Sequence, residues 1–212
     1  PQMACELIAQ ALDAGAPCAW VLADALYGTD SRLRRMLEKR GQPYVLAVRS
    51  NHRLRFWTEE GLEETAPAAM ADALARDAWA IHAAGEGAKG LRLYEWARLP
   101  LSSRQDRGFE HWLLIRRSRR EPDKRAYYFV FAPVGVSLGE LAGAAGLRWT
   151  IEECFERAKD DLGLDHCEAR SRTVIGGTLA ELMAATATTF HRSVTRARPH
   201  RSPLVLVVSN RA

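Results

Sequence analysis

Apolar positions recur every three to four residues over 3–14 (MACELIAQALDA), which predicts an amphipathic helix ended by Gly15 and Pro17. Within AWVLADALYG the next apolar run is short enough for a buried strand and is closed by Gly28. Thr29 or Asp30 can cap the helix SRLRRMLEKRG, which ends at Gly41, and PYVLAV (43–48) reads as a second buried strand. Helix, strand, helix, strand with connections of a few residues predicts an α/β layer whose strands run parallel.

Residues 50–90 mix acidic, Ala-rich and Gly-rich segments without a clear period. From 91 the pattern turns to β: LRLYEWARLPL, HWLLIRRS and RAYYFVFAP, separated by polar turns, predict an antiparallel meander. After Pro133 a helical pattern returns in SLGELAGAAGLRWTIEECFERAKDDLG, ending at Gly163, and a further helix is expected over 176–192. The tail from 193 is basic and then apolar (LVLVV), and its pattern assigns it to no element.

Composition changes this picture little. With 212 residues, 47% hydrophobic and 26% charged, the chain can bury a sizeable core and is most simply one globular domain with an insertion; wholesale disorder is excluded. No apolar run is long enough to cross a bilayer, and no basic-then-apolar leader is visible, so no membrane role is expected. The chain opens at Pro1 already inside a helical pattern, which suggests that it begins within a longer domain. Cys5, Cys18, Cys154 and Cys167 lack any CxxC spacing, and no second ligand flanks the His166–Cys167 pair; reduced thiols in a cytoplasmic protein are expected, with neither zinc nor a disulfide.

Charge is more telling in its distribution than in its total. Thirty Lys and Arg against 26 Asp and Glu give a net +4, enough to tolerate a polyanion without demonstrating one. Arginines gather in RRSRR (116–120) and HRSVTRARPHR (191–201), while 59–64 (EEGLEE) is acidic. Such runs are either phosphate-tracking surfaces or solvated faces.

Two carboxylates attract attention. Asp24 stands where the run VLA gives way to ALYG, at the carboxyl end of a strand expected to be parallel, the edge at which open α/β sheets bind ligands. It can equally cap the turn that follows by accepting a backbone N–H. On the helix containing RWTIEECFERAKDDLG, Arg148, Glu152 and Lys159 fall within roughly 40° of one another, beside a stripe of Ile151, Phe155, Ala158 and Leu162. Arg148 and Glu152 alone could be an i, i+4 surface pair worth about 0.3–0.5 kcal/mol. Taken with Asp24, they have the residue types of a metal-dependent phosphoryl-transfer site, in which carboxylates from separate elements converge on hard cations and cationic neighbours hold phosphate oxygens.

The segments LADALYGTDSRLRRMLEKRGQPYVLAV, KGLRLYEWARLPL and AGLRWTIEECFERAKDDLGLDHCEAR, in that order, resemble the DDE transposases of bacterial insertion sequences, over about residues 3–172. The resemblance implies an RNase H-like fold, with the second catalytic Asp ending a strand, as Asp24 does, and often with a β insertion before the helix that bears the third acid. That helix carries a signature of Tyr, two residues, Arg, three residues, Glu, six residues, Lys. Arg148, Glu152 and Lys159 match its last three members, and its Tyr falls on Ala145. By resemblance, Asp24 and Glu152 are catalytic metal ligands for Mg²⁺, or Mn²⁺ as substitute, and Arg148 and Lys159 bind DNA phosphates. The partners implied are element ends and target DNA, with a homodimer on paired ends, in the bacterial cytoplasm at the nucleoid.

The family's first Asp lies on a strand upstream of the second. Upstream of Asp24 stand only Glu6 and Asp13, in or at the end of a helix, and neither replaces it. The expectation is therefore a partial RNase H-like α/β fold. Its parts are the second half of the core over 1–50, a β-rich insertion over 51–133, C-terminal helices over 134–192 carrying the Glu, and a basic tail over 193–212. Such a chain is the C-terminal part of a transposase and catalytically incomplete alone. A non-catalytic DNA-binding or self-associating remnant is the main rival. A two-carboxylate small-molecule hydrolase ranks last, since no GxSxG, P-loop, GxGxxG or HExxH motif occurs.

Overall fold

The computed structural model of the chain describes residues 2–58, 61–87, 90–101, 108–148 and 205–208. The chain divides into two compact units, one of residues 1–148 with 203–212 and one of residues 149–202, and every described residue belongs to the first. The helices expected beyond residue 148 and the basic tail up to 204 lie outside the described residues.

Helix α1 (Gln2–Asp13) is followed by strand β1 (Trp20–Ala23), the one-turn helix α2 (Ala25–Gly28), helix α3 (Ser31–Lys39) and strand β2 (Tyr44–Val48). The expected alternation is present, and β1 and β2 pair in parallel, Val21 with Tyr44 through Ala23 with Leu46. Asp30, not Thr29, caps α3: its carboxylate accepts the Arg32 N–H at 2.8 Å. Leu33 and Leu37, one turn apart, are the buried stripe of that helix.

The region without a period resolves into a hairpin of β3 (Leu54–Thr58) and β4 (Gly61–Thr65), helix α4 (Pro67–Asp72), a 3₁₀ turn (Arg76–Ala78) and strand β5 (Ala80–Gly87). Then come the three expected meander strands, β6 (Gly90–Pro100), β7 (Phe109–Arg117) and β8 (Arg125–Pro133). Helix α5 occupies 138–148. It starts with a reciprocal capping box: Ser137 Oγ accepts from the Glu140 N–H at 3.2 Å, and the Glu140 carboxylate accepts from the Ser137 N–H at 2.9 Å. The unassigned LVLVV segment supplies β9 (Val205–Val208).

Seven strands form one mixed sheet in the order β5-β6-β7-β8-β2-β1-β9, with β3 and β4 apart. The meander joins the α/β part through an antiparallel β2–β8 ladder running from Tyr44–Phe131 to Val48–Tyr127. Both faces of the central strands are covered, which explains their unbroken apolar runs. Val21, Ala23, Tyr44, Leu46 and Phe129 pack with Ile8 of α1 and Leu33 and Leu37 of α3. Their alternates Leu22, Val45, Tyr128 and Val130 pack with Trp96 and with Leu141, Ala142 and Ala145 of α5. Gly146 lets α5 meet β5 backbone to backbone, since a Cβ there would overlap the Ala84 carbonyl.

One half-buried acid joins α3 to both kinds of strand. Glu38 accepts a 2.7 Å bond from the Tyr44 hydroxyl of β2 and lies 3.4 Å from His111 Nε2 of β7. Burial pushes its carboxyl up, but the bonds from His111 and Tyr44 outweigh it and hold the group below its ordinary value. A depressed carboxylate stabilises the fold above its unfolded value of about 4.5, and that contribution is lost as pH falls through the folded value. Tyr44→Phe is therefore expected to cost about 1–2 kcal/mol at neutral pH. The deficit should shrink on acidification, as urea unfolding at pH 7 and at pH 4 can check.

Candidate active site

Because β1 and β2 are parallel neighbours, their carboxyl ends leave the sheet on one edge, and the segments that follow face one another across it. Asp24 follows β1 directly. Its Oδ1 accepts the Leu26 N–H at 2.9 Å and the Tyr27 N–H at 3.4 Å, so it is the N-cap of α2. The turn-capping role open to it in the sequence is realised, and it fixes the carboxylate at the strand end rather than removing it from the edge.

The turn is held down tightly. Gly28 is buried against β2, and a Cβ there would overlap the carbonyl oxygen of Ala47. Tyr27 packs beside the core. Arg34 of α3 donates to the Gly28 carbonyl at 2.6 Å while its guanidinium lies 4.6 Å from the ring centroid of Phe129. Phe129 of β8 also meets the ring of His52 edge-on, at 5.6 Å and 75°. One aromatic ring thus braces both the α2 turn, through Arg34, and the loop after β2, through His52. Burial, and then the Arg34 charge, lower the His52 pKa from its ordinary value.

Between turn and loop lies an open cleft of about 420 Å³, walled by Ala25, Leu26 and Thr29 on one side and by Arg49, Asn51, His52 and Arg53 on the other. Arg49 is exposed, and Arg53 is paired with Glu64 at 2.7 Å.

The other expected site residues distribute differently. Arg148 is the last described residue of α5 and is half-buried. Ala145, at the signature's Tyr position, is buried in the core and only 7% exposed. Glu152 and Lys159 lie outside the described residues, as do His166, Cys154 and Cys167. Asp13 is engaged by Arg40 at 3.1 Å at the far end of α1, and Glu6 is exposed on the same helix. In the basic run at 116–120, Arg116 stacks over Tyr94 and Arg117 pairs with Glu95 at 2.7 Å, leaving Arg119 and Arg120 exposed on a hairpin turn.

Among the described residues no group of three or more His, Cys, Asp and Glu is placed to hold a metal ion. Asp24 has the chemistry a hard divalent cation requires: a carboxylate at a strand end, oriented by backbone N–H groups. It fits as one ligand of a site that needs others. Arg49 and His52 escape a reading by motif. Their signal is positional: RSNHR follows the second parallel strand, so it emerges on the edge where Asp24 stands.

No helix among the described residues is long and apolar enough to cross a membrane. No curated protein matches the chain. Residues 1–77, which contain Asp24, the turn it caps and the whole 49–53 loop, match the family model described as DDE superfamily endonuclease, a match that supports a DDE-superfamily, transposase-type domain in this segment.

Proposed function

We propose that the protein is part of an insertion-sequence transposase, acting on DNA by DDE-type, metal-dependent phosphodiester cleavage and strand transfer. The observation that carries this reading is Asp24, a capped carboxylate at the carboxyl end of a parallel strand, inside the segment matched by the DDE endonuclease family. In the reading, Asp24 and Glu152 hold Mg²⁺, and Arg148 and Lys159 hold phosphate oxygens. The bound metal would activate the attacking oxygen and stabilise the leaving one.

The chain's own contributions are positional and electrostatic. Leu26 and Tyr27 N–H groups keep the Asp24 carboxylate aimed, and Gly28 and Arg34 hold the turn that presents it. Arg148 and Lys159 would neutralise backbone charge, so that a polyanion can approach two carboxylates. A three-carboxylate centre needs one acid more than Asp24 and Glu152, so the 212 residues alone are expected to cut DNA poorly or not at all. Work as a homodimer on paired element ends, and a place in the bacterial cytoplasm at the nucleoid, belong to the same reading.

Mn²⁺ titration followed by calorimetry tests it. Asp24→Asn and Glu152→Gln should each weaken binding at least about tenfold, because a hard cation loses an anionic oxygen in either. Identical Mn²⁺ binding by both variants and the parent chain would overturn the shared site.

A further inference from the structure

The cleft beside Asp24 is not used by the metal chemistry just described, and its composition asks for a ligand of its own. Arg49, Arg53, Asn51 and His52 bring guanidinium, amide and imidazole donors to one loop, and among them only Arg53 has an acidic partner among the described residues, the exposed Glu64. The facing wall is apolar Ala25 and Leu26 with uncharged Thr29. A cleft with cationic donors on one side and an apolar lip on the other suits an anion carried on a sugar edge, and its open form suits a continuous polymer rather than an enclosed small molecule.

We infer that this cleft is a subsite for a DNA backbone phosphodiester next to the one presented at Asp24, with Arg49 as its principal cation. The inference rests on the functional reading above and adds to it a binding element on the loop after β2. Arg49 supplies two parallel N–H donors to non-bridging oxygens, the geometry in which guanidinium surpasses ammonium. His52, largely neutral near pH 7, is a hydrogen-bond donor or acceptor there rather than a second charge. Spacing between subsite and carboxylate is not left to loop flexibility. Phe129 carries Arg34, which grips the Asp24 turn at Gly28, and also His52, within the cleft loop, so both walls are referred to one rigid strand. Phe129 itself is buried in the β8 ladder opposite Leu46.

The test is metal-free DNA binding by the 212-residue chain, read by fluorescence anisotropy of a labelled duplex across a salt series. Arg49 is exposed, so Arg49→Ala should fold normally. It should raise Kd by about three- to tenfold at 0.1 M salt and flatten the slope of log K against log salt by about 1. Arg49→Lys should restore most of the slope but not all of the affinity. Arg119→Ala, which removes one exposed cation from the β7–β8 turn, should change neither. If the parent chain binds and Arg49→Ala matches it in Kd and slope, or Arg119→Ala shows the same loss, the subsite is wrong while the transposase reading stands. A parent chain with no salt-dependent DNA binding removes that reading, and the subsite with it.

Discussion

Trp96→Ala should lower the free energy of unfolding by about 3–5 kcal/mol, the range seen when a fully buried aromatic is truncated. Trp96 is 0% exposed at the centre of the face covered by α5, in one cluster with Leu22 of β1 and Val45 of β2. Its ring stacks on Tyr128 at 6.3 Å and meets Tyr94 edge-on at 6.4 Å, and its indole N–H donates to the His82 carbonyl at 3.2 Å. The substitution therefore opens a void, breaks two ring contacts and leaves a carbonyl of β5 without that donor. Trp96→Phe should lose less, about 1–3 kcal/mol, since most of the volume stays and chiefly the hydrogen bond goes. Urea unfolding followed by circular dichroism separates the two. Coincident loss of helix and sheet signal would show that the meander and the Asp24-bearing strands unfold as one unit; separate transitions would contradict a single core.

The second large effect is expected at Gly28. An added methyl would overlap the Ala47 carbonyl oxygen, and this obstacle is backbone, unable to swing aside as a side chain could. Gly28→Ala must push α2 away from β2 at a cost of about 3 kcal/mol. The displacement also acts on chemistry. Asp24 caps the four-residue helix that Gly28 ends, and the Gly28 N–H donates to the Asp24 carbonyl at 2.8 Å, so the carboxylate moves with the turn. Mn²⁺ affinity should fall with stability in Gly28→Ala. In a variant destabilised equally at Trp96, Mn²⁺ affinity measured under folding conditions should be unchanged. Equal Mn²⁺ binding in both would mean that the turn does not position the ligand.

What could be read from the chain beforehand divides along physical lines. The strands at 20–23 and 44–48 announce themselves because burial on both faces demands uninterrupted apolar residues, and the turn and capping residues around them, Gly28, Asp30 and Gly41, mark their limits. The meander is legible for a similar reason. By contrast, β5, with sequence AIHAAGEG, has little intrinsic preference for a strand; it is one because β6 offers it a ladder and Gly146 lets α5 rest upon it. β9 could not be placed, since its partner in β1 lies far off in sequence and no local pattern reports a parallel pairing of that span. The site follows the same rule. Asp24 is visible as a polar residue closing an apolar run, whereas Arg34 and His52 come together over Phe129, a contact among three separate elements.

The long-range pairing of β9 has a consequence for how the chain comes into being. Trp20–Ala23 leaves the ribosome long before its outer neighbour Val205–Val208, the last of the described strands to be made. At about 5–20 residues per second, some 10–40 s of synthesis separate the two. Throughout that interval the outer edge of β1 offers unpaired N–H and C=O groups directly beside Asp24, a template for strands of other nascent chains. Among the described residues, the strand bearing the candidate metal ligand is thus paired on that side only once Val205–Val208 has been made.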